Sequence, residues 1–522
     1  SKVRIRVLVS PFERMETMKR LTFLFAALPG LALLAACGAQ EEGGEAMSAA
    51  AAVQEIPVTT SSDEARALFM EGQHALDVNR PLDAAELFRQ AAQKDPQFTY
   101  AYVGLMNAAT SAGEFMKSLE PAEANMAAAS EGEQLLVKIN RTFVDVDIGK
   151  RLELSKQLVD AYPASPRAWL NLGSVQTALD EIEDARASMN KALELDPNFS
   201  PTHASLGFSF LFNEPKDFAE GQRYMERVVE LEPKEAPAHV ALGDAYRARN
   251  MLEKARDSYA RGTELDPTKP LAFSKKGHAD SYLGNYDEAR SDFDQAIAVA
   301  KDQQKALWAR FRAFVSAYAG DPQAAVAELG QVYESIDKMG IPEHQLNGAK
   351  TGVLSDLATI ALHNGMLDDA ERAIERRAGY VRAQADVVGD ADWSRAQAAN
   401  IVIWEGRLAA RKGDYATARM KADEVARLVE PQSNPRKMEG YHALMGLTSL
   451  LEGNNAEAVE QYRQANLNNV YVKYHLALAL DGAGMAEEAT NLFTEVAEFN
   501  FNFAAYSCIR NDAIARTQRI RV

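Results

Sequence analysis

The chain has 522 residues, 47% of them apolar and 25% charged, so it has ordinary globular composition and ample length for a sizeable core. Its formal net charge is −17, and about −21 without residues 1–36, which carry six Lys/Arg and two Asp/Glu. This acidic balance argues against nucleic acid as a partner, because a nucleic-acid-binding surface must be basic to neutralise phosphates.

The first predicted element is an export signal in residues 1–36. The basic residues Lys19 and Arg20 follow Met18 and precede an apolar run of ~16 residues. This run is shorter than the roughly 20 residues that a membrane-spanning helix needs. We therefore predict a signal peptide that is removed, with residues 1–17 lying before a true start of translation at Met18; the alternative start is Met15.

The end of this segment, Leu34-Ala35-Ala36-Cys37, resembles the lipobox of bacterial lipoproteins. The resemblance implies cleavage just before Cys37 and lipidation of its thiol, with palmitate among the acyl chains. In lipoproteins similar to this one, a non-acidic residue at the position of Gly38 favours the outer membrane of a Gram-negative cell, on its periplasmic or surface face. The alternative is a plain secretory signal that leaves Cys37 free.

Residues 37–60 are predicted to form a flexible, lipidated tether. Between Gly38 and Thr59 the residues are small and acidic and show no helical periodicity. Ser61 and Glu64 then have the spacing of a capping box, in which each side chain bonds the backbone of the other residue. The folded part of the chain is therefore expected to begin at residue 61.

The stretch from Pro163 to Pro197 shows the unit that the chain repeats. Apolar and small residues recur at helical spacing in two segments separated by a polar turn: Trp169, Leu172, Gly173 and Gln176 in the first, and Ala185, Met189, Ala192 and Leu195 in the second. The pattern Trp-x2-Leu-Gly…Ala-x6-Ala…Pro, with a period of 34 residues, resembles the tetratricopeptide repeat. The resemblance implies an all-α fold, a right-handed α-solenoid of helical hairpins.

Later units are recognised by a glycine at the end of the first helix and an alanine five residues on. The pairs are Gly284/Ala289, Gly320/Ala325, Gly365/Ala370, Gly413/Ala418, Gly453/Ala458 and Gly484/Ala489. A C-cap glycine followed by a small residue at the helix crossing explains both positions. We count about twelve hairpins, a regular block at 61–302 and a less regular one at 303–500. A helix from Ala504 to Arg519, within residues 501–522, is expected to cap the last repeat.

Motifs for catalysis, metals or cofactors are not found in the sequence. None of the eight histidines has a ligand-spaced partner, and His203, His239 and His442 occupy the position of Trp169, which favours packing. A nucleophile elbow and a complete phosphate loop are also missing. We therefore predict that the chain is not an enzyme and binds no cofactor or metal.

The candidate binding surface is the concave groove that the first helices of such repeats line. The resemblance places seven candidate partner-binding residues there: Arg167, Phe208, Phe212, Asp244, Arg247, His278 and Tyr282. The family's two-carboxylate clamp is not reproduced, since the positions that need its Lys and Asn are occupied by Leu170, Ser174, Val240 and Asp244. The alternative for Phe208 and Phe212 is that both belong to the core.

Two functions remain for these features. The first is a lipid-anchored, non-catalytic scaffold of the cell envelope that binds a protein or peptide in its groove. It is similar to bacterial tetratricopeptide repeat lipoproteins, a resemblance carried by the stretch from Thr59 to Glu133. The alternative is a glycan- or small-ligand-binding envelope lipoprotein that works beside an outer-membrane transporter, although the long insertions of that family are missing.

Overall fold

A computed structural model describes residues 55–145, 147–388, 391–432 and 434–519. Within these ranges 80% of the residues are helical and none is in a strand. This share far exceeds the ~30–35% of an average globular protein, and it confirms the predicted all-α fold. The described chain divides into two compact units after Ala245, here called the N-terminal unit and the C-terminal unit. The division predicted at 302/303 marks only a change in repeat regularity.

The N-terminal unit is built of ten helices and most of an eleventh. They are α1 (Asp63–Asp77), α2 (Pro81–Lys94), α3 (Thr99–Asn107), α4 (Ala112–Asn125), α5 (Glu131–Asp145), α6 (Ile148–Ala161), α7 (Pro166–Ala178), α8 (Ile182–Leu195), α9 (Ser200–Phe212), α10 (Phe218–Leu231) and α11 (Ala236–Ala248). Helices that follow one another pack as hairpins, as α1 does with α2 and α7 with α8.

The C-terminal unit contains longer helices. They are α12 (Leu252–Leu265), α13 (Pro270–Leu283), α14 (Tyr286–Val299), α15 (Asp302–Tyr318), α16 (Pro322–Ser335), α17 (Glu343–His363), α18 (Leu367–Val388), α19 (Ala391–Arg411), α20 (Tyr415–Val429), α21 (Glu439–Glu452), α22 (Asn455–Arg463), α23 (Val470–Gly482), α24 (Ala486–Ala497) and α25 (Ala504–Arg519). The twenty-five helices of the described chain therefore form twelve consecutive pairs and one final helix, which confirms the solenoid of about twelve hairpins.

Small residues bring the two helices of a hairpin close together, as the α7/α8 pair shows. A Cβ added to Gly173 would lie 3.0 Å from the carbonyl oxygen of Ala185 and 2.9 Å from Cγ of Met189. Ala185 and Ala192 on the facing helix are fully buried. Side chains larger than these would force the helices apart, so the sequence pattern follows directly from the packing distance.

The predicted C-cap glycines all adopt the left-handed backbone conformation that ends a helix. The φ angles are 86° at Gly284, 84° at Gly320, 73° at Gly365, 79° at Gly413, 91° at Gly453 and 81° at Gly484. In three repeats before Gly284, Asn79, Asp180 and Asn250 have the same role, with φ of 60°, 65° and 56°. Glycine has no Cβ to clash in this conformation, and Asn and Asp tolerate it better than other residues do.

In three hairpins the residue at the position of Trp169 makes a hydrogen bond to the preceding turn that the sequence did not predict, whereas His442 bonds Gln461 Oε1 instead. Trp169 Nε1 donates to the carbonyl oxygen of Pro163 at 2.9 Å. His203 Nε2 and His239 Nε2 lie 2.9 and 3.0 Å from the carbonyl oxygens of Pro197 and Pro233, each again six residues earlier. A carbonyl oxygen only accepts, so each histidine is protonated at Nε2. This bond ties the first helix to the turn before it.

The end of the predicted tether is part of the folded N-terminal unit. Ile56 is only 2% exposed and belongs to the core of that unit. The backbone N–H of Thr59 donates to Glu133 Oε1 on α5 at 2.9 Å. The prediction of a tether through residue 60 is therefore wrong for residues 55–60, because an apolar side chain and a backbone hydrogen bond hold them in place.

Helix α1 begins one residue later than the predicted capping box implies. Its N-cap is Ser62, whose Oγ accepts a hydrogen bond from the backbone N–H of Ala65 at 3.1 Å. The predicted signal peptide and Cys37 lie outside the described residues. Among the helices that are described, none combines the length and the apolar character needed to span a bilayer.

Candidate functional site

Three of the predicted groove residues are core residues of the C-terminal unit. His278 is 7% exposed, and its ring lies 5.2 Å from that of Phe293 and 5.1 Å from that of Phe311. Tyr282 is 5% exposed and Arg247 is also buried. Their predicted placement on an open concave surface is therefore corrected.

The last segment of the chain packs against two of them, Tyr282 and Arg247. Helix α25 packs on α24 as predicted, but it also contacts the first helices of earlier hairpins, α15, α17 and α23. The ring of Tyr506 lies 6.0 Å from that of Tyr282, and Arg247 Nη1 donates to the carbonyl oxygen of Asn500 at 3.1 Å. The face that would be open in a bare array of hairpins is therefore filled by the protein's own C-terminal helix.

Arg167 takes part in an internal ion pair of the N-terminal unit. Its Nη2 lies 3.3 Å from Oδ2 of Asp77 on α1, a carboxylate whose side chain is 1% exposed. Gln73 Nε2 donates to the other oxygen of Asp77 at 3.1 Å. Burial raises the pKa of Asp77 to about 7 although Arg167 opposes the shift. A second ion pair, Arg80 Nε to Glu235 Oε2 at 3.2 Å, also joins elements far apart in the sequence.

Phe208 and Phe212 on α9 are the predicted site residues that remain at the surface. Phe212 is 46% exposed and Phe208 is partly exposed. Their rings stack with centroids 6.0 Å apart and an angle of 20° between planes. Asp244 on α11 is partly exposed. The alternative that Phe212 belongs to the core is therefore wrong.

The C-terminal unit also contains a cluster of cations and aromatic rings that the sequence did not predict. Its members, here called the arginine cluster, are Arg377 on α18, Trp404, Arg407 and Arg411 on α19, Tyr471 and His475 on α23, and His363 at the end of α17. The guanidinium carbons of Arg377 and Arg407 lie 5.2 and 4.7 Å from the ring centroid of Trp404. The hydroxyl oxygen of Tyr471 is 3.5 Å from Arg411 Nη2 and 3.0 Å from His363 Nδ1.

The positive charge of the arginine cluster is not balanced by a paired carboxylate within the described residues. Arg377 donates only to neutral groups, to Ser355 Oγ at 2.8 Å and to Asn400 Oδ1 at 2.6 Å. Burial, followed by the charge of Arg407, lowers the pKa of Arg377 to about 10. Burial is also the main cause that lowers the pKa of Arg407, and Arg411 adds to it.

The two histidines of the cluster are neutral at physiological pH. Burial and the charge of Arg411 lower the pKa of His363 to about 4, and burial lowers that of His475 to about 3. Asp512 on α25 raises the pKa of His363 slightly, but this carboxylate is already paired. Its Oδ2 lies 2.6 Å from Arg516 Nε and 2.6 Å from the hydroxyl of Tyr474. The cluster therefore presents cationic and neutral donors.

Comparison with known families identifies the hairpins. One model of the tetratricopeptide repeat matches residues 166–199, and a second matches residues 69–129, 216–270 and 274–338. The chain is a tetratricopeptide repeat protein. As a repeat protein of this family it is a scaffold for protein interactions. No protein of curated function matches the chain.

Solved structures similar to this tetratricopeptide repeat protein cover only part of it. MamA residues 41 to the end, from Desulfovibrio magneticus RS-1, is 20% identical with a TM-score of 0.30, over 33% of this chain and 96% of that chain. PilW, described as a widely conserved type IV pilus biogenesis factor, is 17% identical with a TM-score of 0.34, over 40% and 96%. A tetratricopeptide repeat protein from Parabacteroides merdae ATCC 43184 is 12% identical with a TM-score of 0.30, over 55% and 98%.

The arginine cluster was missed because its members belong to four different helices of this repeat protein. Arg407 and Arg411 are four residues apart, so the sequence does place both on one face of α19. Arg407 has no carboxylate three or four residues away on α19, and this absence was the available signal in the sequence. Their approach to Tyr471 depends on how the hairpins stack, which the repeat pattern does not specify.

Proposed function

We propose that this tetratricopeptide repeat protein is a non-catalytic scaffold, anchored in the cell envelope by lipid on Cys37, that binds a protein partner. The observation that carries the proposal is the repeat architecture itself: the described helices form consecutive pairs, and residues 69–129, 166–199, 216–270 and 274–338 match models of a repeat that serves as an interaction surface. The lipobox-like residues before Cys37 support the anchor, and the Gly38 that follows supports the outer membrane.

The surface that we assign to the partner lies on α9 of the N-terminal unit. Aromatic side chains are enriched among residues that dominate binding energy, because they bury a large area with few rotatable bonds. Phe212 and Phe208 form such a pair, and Phe218 at the start of α10 is a further ring, 39% exposed. The partner proposed here is a protein or peptide with an apolar segment that covers these rings.

Membrane fractionation of cells that express the full chain tests the anchor. Cys37→Ser should move the protein to the soluble fraction, since two or more acyl chains are needed for stable attachment and each buried methylene contributes ~0.8 kcal/mol. Cys508→Ser is the matched control, because it removes the chain's other thiol on α25 and should leave the protein in the membrane. An unchanged mass and membrane association of the Cys37→Ser protein would show that the anchor is wrong.

Site-specific photocrosslinking in the same membranes tests the binding surface. A photoreactive residue at position 212 should yield a discrete protein adduct. The control position is Met420, a large apolar side chain that is 63% exposed in the C-terminal unit. The same adduct from both positions, or none from position 212, would contradict a partner site on α9.

A further inference from the structure

We propose that the arginine cluster is a binding site for an oxyanion, the carboxylate or phosphate group of a small ligand. This inference goes beyond the scaffold function and does not depend on it, since the cluster lies in the C-terminal unit and the proposed partner surface is on α9.

The arginine cluster holds two cations, Arg407 and Arg411, close together without a paired carboxylate among the described residues. Arg407 and Arg411 are on one face of α19, one turn apart, and both guanidinium groups approach Tyr471. Arg377 is 8% exposed and shares the ring of Trp404 with Arg407. Charged side chains that are buried are ordinarily paired, because like charges repel strongly where water is scarce.

Arg310 in the same unit shows the usual arrangement. Its Nε lies 2.6 Å from Oδ2 of Asp356, so the cation is neutralised by the protein itself. In the arginine cluster, an anionic ligand would take the place of the carboxylate that neutralises Arg310. A bound carboxylate or phosphate would accept hydrogen bonds from the planar guanidinium forks, the geometry for which arginine is best suited.

An anion from solvent would reach the arginine cluster through the residues of the cluster that are partly exposed. Arg407, Arg411 and Tyr471 are partly exposed. Arg377 is buried and fixed by its hydrogen bonds to Ser355 and Asn400. The inner arginine therefore holds Trp404 and the outer donors in place, and an anion from solvent reaches Arg407 and Arg411 first.

Trp404 provides a reporter for the test, because two guanidinium groups contact its ring. The intrinsic fluorescence of the full chain is titrated at pH 7.5 with inorganic phosphate and with acetate, each against sodium chloride of equal ionic strength. We expect a saturable change with at least one of the two anions, and Trp404→Phe should remove it. Preference for phosphate or for acetate then identifies which oxyanion the site takes. The same response to all three salts would overturn the proposal.

Matched variants connect the response to the cluster. Arg407→Gln and Arg411→Gln should each raise the half-saturating anion concentration 10-fold or more. Arg407→Lys should raise it less than Arg407→Gln does, because the positive charge is kept. The control is Arg419→Gln on α20, whose guanidinium pairs with Glu452 at 2.6 Å and Glu457 at 3.1 Å, and its titration should match that of the unmodified chain. If Arg407→Gln is not folded by circular dichroism, Arg411→Gln decides. Unaltered titrations in the folded Gln variants would refute the site.

Discussion

Replacing Tyr506 by Ala tests whether the C-terminal helix is an integral part of the core. Tyr506 is fully buried on α25, with ring centroids 6.0 Å from Tyr282, 6.4 Å from Tyr318 and 5.3 Å from Phe499. Truncation of a buried aromatic side chain costs ~3–5 kcal/mol, because the cavity that it leaves closes only in part. The loss should therefore be a large fraction of the ~5–15 kcal/mol that stabilises a typical domain.

The hydroxyl of Tyr506 also stabilises the fold through hydrogen bonds, and Tyr506→Phe measures this contribution separately. It donates to the carbonyl oxygen of Ala497 at 3.1 Å and accepts from the backbone N–H of Asn500 at 3.2 Å. Tyr506→Phe leaves that buried N–H without its acceptor, which costs ~1–3 kcal/mol. Tyr506→Ala should therefore destabilise the C-terminal unit by about 4 kcal/mol or more.

Urea unfolding followed by tryptophan fluorescence is the appropriate assay. Three of the four tryptophans, Trp308, Trp393 and Trp404, are in the C-terminal unit, so the signal reports mainly on that unit. Phe503→Ala is the control, since Phe503 directly precedes α25 and is 53% exposed. We expect this change to cost less than ~1 kcal/mol. A loss for Tyr506→Ala no larger than that of Phe503→Ala would refute the packing of α25 and return Tyr282 to an open face.

Three further substitutions test the burial assigned to individual side chains. Tyr282→Ala should cost ~3–5 kcal/mol of folding free energy because the ring is in the core, whereas Phe212→Ala should change thermal stability little; similar losses for the two would contradict their assigned burial. Burial raises the pKa of the Asp77 carboxyl from 3.8 to about 7. Between these two values the folded state holds a proton that the unfolded state releases. The free energy of unfolding should therefore fall by up to ~4 kcal/mol as the pH rises from about 4 to 7. Asp77→Asn should flatten that decline in urea unfolding at a series of pH values, and an unchanged pH dependence would show that Asp77 is not the group responsible.

The interaction surfaces were only partly predictable because they depend on contacts between distant parts of the chain. Phe212, which the repeat register assigned to the groove, is 46% exposed. The same register placed Tyr282 on the concave side, but its ring packs against Tyr318 on α15 and against Tyr506 on α25, which returns across α15 and α17. The pairing of Arg247 with Asn500 joins residues 253 positions apart, and no local pattern encodes such a contact.

The amino-acid sequence by itself determined the hairpins, their number and their turns. Helix periodicity, a small residue where two helices cross and a left-handed glycine after the first helix are short-range requirements, so Gly173 and Gly284 could be interpreted without the fold. Tertiary structure alone decided which faces of the hairpins are covered. The stacking of successive hairpins brings Asp77 to Arg167 and groups Arg377, Arg407 and Arg411, because burial and charge pairing depend on every element that surrounds a side chain.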